Sequence, residues 1–274
     1  MKSVAAIVLN RNLPEQTDRL VDRLQSFDSP LVDVFVVDAG SDPDRRSRFT
    51  TWTADSEDAR TRGLRYSRGM NFGLVNLLQE GRFDNYEAFF FLTNDLVFEE
   101  GPIIAPLLNS LEQHPRVGIL SPCSRNWGER LLIPENGMKY FWFIHNTAFL
   151  VRRSFIEAIA NLDEGSYLDL LFDGSNFRGY AMEMELIAKA YANDWSAAIT
   201  TRVFVKKDES HLLTKADLIK TEPFEENLRL YIEEGKEWMK RKYGFNSRWS
   251  MQMYVKTFYD KFFQFHPEYA EYMI

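Results

Sequence analysis

Short unbroken apolar runs alternate along this chain with stretches in which apolar residues recur at helical spacing. Val4 to Leu9, Leu31 to Val37 (broken only by Asp33), Phe89 to Leu92 and Val117 to Leu120 read as strands, the unbroken runs among them buried on both faces of a sheet. Leu13, Leu20, Val21 and Leu24 form a helical stripe after the first run, with Pro14 at the helix start and Ser29-Pro30 as a break. Strand, helix, strand in this order is a βαβ unit, so the first two strands should be parallel. Leu74 to Leu78, Ile103 to Leu111, Arg152 to Ile159 and Ala181 to Ala192 predict further helices. Gly63 to Tyr66 reads as a short strand, and Tyr140 to Val151 and Trp195 to Val205 as longer β segments. Asp44 to Arg62 has no pattern and reads as a loop with a short helix. From Pro223 the pattern is helical and rich in aromatic residues to the end.

Composition narrows the function. Lys and Arg total 33 against 40 acidic residues, a net charge of −7, which does not suit sequence-independent grip on nucleic acid. Cys123 is the only cysteine, so intrachain disulfides and Cys-rich zinc sites are excluded, and the count fits a reducing compartment. Val4 to Leu9 is too short for a secretory leader. No stretch approaches the roughly 18 apolar residues of a membrane span. A cytoplasmic protein is the simplest expectation, with peripheral membrane association as a variant.

The chemistry concentrates where strands end. Phe89 to Leu92 stops at Thr93-Asn94-Asp95, and a carboxylate at the carboxyl end of a buried strand is where open α/β sheets place ligands. Oxygen ligands there suit a hard cation such as Mg2+ or Mn2+. The second strand ends in Asp38-Ala39-Gly40-Ser41-Asp42, and no Gly-x-Gly-x-x-Gly follows the first strand.

Taken together these pieces resemble the family 2 glycosyltransferases of the GT-A fold over about residues 4–211. Ile7 to Arg11 resembles the family's opening strand, and Val36 to Asp42 is similar to its Val-Val-Asp-Asn-Gly-Ser-x-Asp segment. Arg68-Gly69-Met70-Asn71-Phe72-Gly73 resembles the Ala-Arg-Asn-x-Gly neighbourhood, and Leu92 to Asp95 the Asp-x-Asp signature. Phe149 to Arg153, Leu162-Asp163-Glu164 and Gly179 to Leu186 resemble later motifs in the same order.

The resemblance implies an α/β fold of GT-A type, a mostly parallel central sheet flanked by helices. Residues 1–222 would form the catalytic domain, with a nucleotide-sugar half to about residue 100 and an acceptor half to 222. Residues 223–274 would be a helical, aromatic-rich extension. The implied activity is inverting, metal-dependent transfer of a sugar from a nucleoside-diphosphate donor, a UDP-sugar favoured, to a hydroxyl on a glycan or other acceptor. Bacterial-type glycan synthesis is the implied setting.

Donor contacts fall on Asn10, Arg11, Asp38, Arg68, Asn71 and Asn94, and a divalent cation (Mn2+ or Mg2+) on Asp95 and His211. The base falls on Glu183, with Glu185 as the alternative. The two lie roughly 200° apart around a helix, so both cannot face one site. Trp127, Trp142 and His145 are candidates for the acceptor, because aromatic faces suit sugar rings. The sequence departs from the family at Thr93 and Met182, where acidic residues are usual. Those departures leave a catalytically silent nucleotide- or glycan-binding module as an alternative, beside a sugar-nucleotide nucleotidyltransferase. The aromatic tail suits packing on the catalytic domain or a homodimer interface.

Overall fold

The computed structural model describes residues 3–144, 148–208, 210, 214 and 217–274. Among them nine strands form one sheet: β1 (Val4–Asn10), β2 (Val32–Asp38), β3 (Thr50–Thr53), β4 (Ala88–Thr93), β5 (Leu96–Phe98), β6 (Val117–Ser124), β7 (Met138–Tyr140), β8 (Phe149–Arg152) and β9 (Ser196–Lys207). The helices are α1 (Pro14–Asp28), α2 (Glu57–Arg62), α3 (Arg65–Gln79), α4 (Ile104–Gln113), α5 (Arg153–Ile159), α6 (Met182–Ala192), α7 (Phe224–Tyr243) and α8 (Arg248–Phe265). The main strand order is β3-β2-β1-β4-β8-β6-β9-β5, with β7 also paired to β9.

The first four strands in this order run parallel. Beyond β4 the sheet is mixed: β8 is antiparallel to β4 and β6, β9 is parallel to β6, and β5 and β7 run antiparallel to β9. Register aligns Asn10 with Asp38 and Leu9 with Thr93, so the polar ends of β2, β1 and β4 share one edge. Phe89, Phe90, Phe91 and Leu92 are fully buried, as a strand covered on both faces requires. Helix α3 lies close on β1. A Cβ at Gly69 would come 2.6 Å from Leu9 and one at Gly73 2.7 Å from Ile7, so these small residues set the approach.

Of the β segment expected over Tyr140 to Val151, only Tyr140 and Phe149 to Val151 lie in strands among the described residues, and residues 141–144 do not. Two further local expectations fail for identifiable reasons. Gly63 to Tyr66 is not a strand, because Gly63 at φ +75° ends α2 by donating its N–H to the Ala59 carbonyl, and α3 begins at Arg65. The third strand instead lies at Thr50–Thr53, within the stretch that carried no pattern. It is an edge strand, only partly buried, so it needs no apolar run.

Helices α7 and α8 share the hydrophobic core of the rest of the chain. Trp238, Met239, Met251, Val255, Tyr259 and Phe262 are buried in it, and the Tyr259 hydroxyl donates to the Tyr140 carbonyl at 3.2 Å. Buried Glu185 of α6 accepts from the Tyr243 hydroxyl at 2.6 Å and pairs with Lys242 at 2.7 Å. Asp173 accepts from Trp238 Nε1 at 2.9 Å and from Lys242 at 2.6 Å. No helix among the described residues is long and apolar enough to cross a membrane.

Two stability effects follow. Gly40 has φ +92° and a Cβ there would meet the Ala59 carbonyl oxygen at 2.0 Å. Gly40→Ala should therefore lose about 1–3 kcal/mol in urea unfolding; an unchanged midpoint and slope would refute this packing. Glu185→Ala leaves a phenol and an ammonium short of their acceptor at the α6–α7 contact. It should lose about 1–3 kcal/mol by the same measurement.

Candidate functional site

A chain of hydrogen bonds joins three strand ends. Asn94 Nδ2 donates to Thr17 Oγ1 at 3.0 Å, and Thr17 Oγ1 lies 3.0 Å from Asn10 Oδ1. Asn10 Nδ2 then donates to Asp38 Oδ2 at 3.1 Å, while Asp38 Oδ1 accepts from the Ser41 N–H at 2.9 Å. Asn10 and Asp38 are fully buried. Asn10 and the Ser41 amide satisfy one oxygen each of this buried carboxyl group. Asp38 thus shapes the loop after β2, with neither carboxylate oxygen exposed.

Asp95 is placed differently. It turns the chain from β4 into β5, is 8% exposed, and its Oδ1 is buried without a hydrogen-bond partner among the described residues. Its other oxygen is 3.8 Å from Lys207 Nζ. Asp95 lines a cavity of about 190 Å3 together with Gln16, Asn94 and Asp208. An orphaned carboxylate oxygen at a cavity wall fits a hard cation. Among the described residues no group of three or more His, Cys, Asp or Glu side chains could hold a metal ion.

A pocket of about 570 Å3 is lined by Arg62, Arg65, Phe177, Arg178 and Lys220 together with Glu222 and Glu234, and Arg178 pairs with both of these carboxylates. The guanidinium carbons of Arg62, Arg65, Arg68 and Arg178 all lie within 5.7 Å of the Phe177 ring centre. Arg11 stands behind this pocket, donating to the Thr61 carbonyl at 3.0 Å, while its Nε and Nη1 are buried without partners among the described residues. Burial and neighbouring Arg65 push the Arg11 guanidinium down to about 10, against the pull of Asp38 and Asp42. Such crowding of cations favours an anion.

Residues 217–222 cross this edge as a strap. The Leu218 carbonyl accepts from Asn12 Nδ2 at 2.6 Å, Lys220 pairs with Asp42 at 2.5 Å, and Thr221 accepts from Arg65 at 2.9 Å. Burial raises the Glu222 carboxyl, but the hydrogen bond from Arg178 at 2.6 Å helps bring it down to about 2.

Glu183 and Glu185 part company at the start of α6, as helix geometry requires. Glu185 is taken up by Tyr243 and Lys242. Glu183, with its side chain 13% exposed, faces Arg248 Nη2 at 3.4 Å. Burial raises the Glu183 carboxyl, and Arg248 opposes the rise without cancelling it. Tyr66 is close enough for the Glu183 charge to add to the effect of burial in raising its phenol.

Other expected site residues have different surroundings. Asn71 is fully buried, donates to the Tyr167 and Phe172 carbonyls and accepts from the Leu171 and Phe172 N–H groups. It is a clamp between α3 and the loop before α6. Arg68 binds the Gly174 carbonyl at 2.8 Å and Asp58 at 3.0 Å, which positions the loop carrying Phe177. Trp142 packs against Tyr259 of α8, beneath Lys256, so the C-terminal helix occupies one of its faces. Trp127 is 48% exposed beside the turn after β6. His145 and His211 lie outside the described residues. Sequence reasoning missed Thr17, Arg65, Asp208 and Arg248. Only Asp208 carried a signal, being a carboxylate at the end of a strand.

No protein-family model matches the sequence, and no curated protein matches it. Among solved structures, the chain is similar to GalNAc-T7 crystallised with UDP, GalNAc and Mn2+, at a TM-score of 0.55 and 9% identity. That similarity covers 96% of this chain and 56% of the GalNAc-T7 chain. A mannosyltransferase from Pyrobaculum calidifontis, PcManGT with GDP-Man and Mn2+, aligns at TM-score 0.48 and 12% identity, over 94% of this chain and 86% of its own. TarS 1-349 from S. aureus aligns at 0.45 and 14%, over 90% and 75%. Of these three, GalNAc-T7 aligns at a TM-score above 0.5. The chain has the fold of the GT-A glycosyltransferases, a mixed α/β sheet flanked by helices, with further helices at the C-terminal end.

Proposed function

We propose that this protein is an inverting glycosyltransferase that moves a sugar from a nucleoside diphosphate, a UDP-sugar favoured, to a hydroxyl acceptor. The observation that carries the reading is the shared edge of β2, β1 and β4. There Asp38, Asn10 and Asn94 are hydrogen-bonded into one row, directly after which Asp95 holds an orphaned oxygen. That edge is where open α/β sheets bind ligands. The neighbouring cations Arg11 and Arg65 would offset the negative charge of a nucleotide bound along this edge. Asp95 would hold Mn2+ or Mg2+, which would supply Lewis-acid neutralisation of the departing diphosphate.

Glu183 is the base in this reading. Its partly buried carboxylate would take the proton from the acceptor hydroxyl as that oxygen attacks the anomeric carbon. The bond from that carbon to the diphosphate oxygen breaks, and its electron pair leaves with the diphosphate. A single displacement inverts the anomeric configuration. Burial raises the Glu183 affinity for a proton, which strengthens it as a base at neutral pH. Glu185, held by Tyr243 and Lys242, is left to join α6 to α7. Domain division at about residue 222 and a cytoplasmic site of action belong to the same reading.

Glu183→Gln should fold, bind donor and lose transfer by about two to four orders of magnitude. Because burial raises the folded-state pKa of Glu183, ionisation at neutral pH works against folding. The Gln variant should therefore match or exceed the native stability at pH 7, and this advantage should shrink as pH falls toward the ordinary carboxylate range. Transfer retained in Glu183→Gln and lost in Glu185→Gln would reassign the base.

Asp95→Ala should abolish the Mn2+-dependent part of UDP binding in calorimetry, a loss of tenfold or more. Unchanged affinity with Mn2+ present would remove Asp95 from the metal site. Donor binding without turnover in the native protein, across UDP- and GDP-sugars, would favour the silent-module reading.

A further inference from the structure

The proposed metal site has a gap at Thr93, where a second carboxylate is usual in the resembled family. We propose that Asp208, just beyond the end of β9, supplies that carboxylate, so that Asp95 and Asp208 together hold the cation. The inference rests on the metal-dependent reading above and concerns which residues of this chain realise it.

The topology brings the two residues together. After Asp95 the chain enters β5, which pairs antiparallel with the end of β9 so that Leu96 opposes Lys207. The ladder continues one step further: the Asp208 N–H donates to the Asp95 carbonyl at 2.8 Å. Neighbours on an antiparallel pair carry their side chains close together. Both residues line the same cavity.

The chemistry there asks for a cation. Asp95 is more than nine-tenths buried, and its Oδ1 has no hydrogen-bond partner among the described residues. The Lys207 ammonium is 3.8 Å from the other oxygen, Oδ2, and does not satisfy Oδ1. Gln16 Oε1 is likewise buried without a partner among the described residues, and Gln16 lines the same cavity from α1. Two carboxylates and an amide oxygen are a hard, all-oxygen donor set of the kind Mg2+ and Mn2+ take.

The same cavity carries Arg19 and Arg23. Arg23 is committed to the Glu99 and Gly101 carbonyls at 2.7 and 2.6 Å and to Asp28 at 3.4 Å. Arg19 is exposed on the cavity wall. A bare dication meets this positive charge, whereas a dication carrying a diphosphate brings its own compensating anion. The site is therefore built for the metal–diphosphate pair, and metal and nucleotide should bind synergistically.

Calorimetry of UDP and GDP with and without MnCl2, and the free-Mn2+ paramagnetic resonance signal, test this on the full chain. Mn2+ alone should bind weakly and tighten at least tenfold when UDP or GDP is present. Asp208→Asn should keep its melting temperature and its metal-free nucleotide affinity, and should lose that tenfold enhancement. Thr93→Asp in the Asp208→Asn background should restore it by returning a carboxylate to the β4 end. Full enhancement in Asp208→Asn overturns the role of Asp208 while leaving the metal-dependent reading intact. No enhancement in the native protein overturns both.

Discussion

The interaction on which the candidate site depends is the side-chain amide of Asn10. Buried at the end of β1, it donates to Asp38 and Ser41 on one side and accepts from Thr17 on the other. Thr17 in turn accepts from Asn94. A buried carboxylate such as Asp38 is costly without donors, so this row must stay satisfied for the three strand ends to coexist. Because the row is anchored on parallel strands, the position of the Asn94-Asp95 turn is tied to that of the loop after β2. Asp95 inherits a fixed place with one oxygen left over.

The second organising contact is between α6 and the C-terminal helices. Lys242 joins Glu185 and Asp173, and Trp238 also donates to Asp173, so one cluster holds α7 to both α6 and the loop before it. Asn71 clamps that loop from the opposite side. Glu183 sits between these anchored parts, partly buried and facing Arg248. The aromatic tail is thus part of the core that orients α6. Its exposed members, Trp249 and Phe265 among them, are those facing away from that core.

The strap of residues 217–222 covers the ends of β1 and β2 through contacts to Asn12, Asp42 and Arg65. Its contacts are polar and partly exposed, so each is worth little in water and all can be exchanged for a charged ligand. Glu222 already occupies Arg178 much as a phosphate oxygen would.

Strand and helix positions were legible in the sequence wherever burial imposed a period, as at Phe89 to Leu92 or along α1. The strand-end positions of Asn10, Asp38 and Asp95 were legible too, because an apolar run that stops abruptly marks where a buried strand reaches the surface. The edge strand β3 was not, since an exposed strand with a single neighbour needs no apolar run. Nor were the true partners of Asn71, Arg68 and Trp142, which depend on groups about a hundred residues away or on the C-terminal helix. The sequence by itself determined which carboxylates lie on which elements. Only the tertiary structure decided their environments: Asp38 satisfied by Asn10, Glu185 by Lys242, and Asp95 left with an unpaired oxygen beside Asp208. Hydrogen bonds and burial between distant segments set those environments, and no local pattern records them.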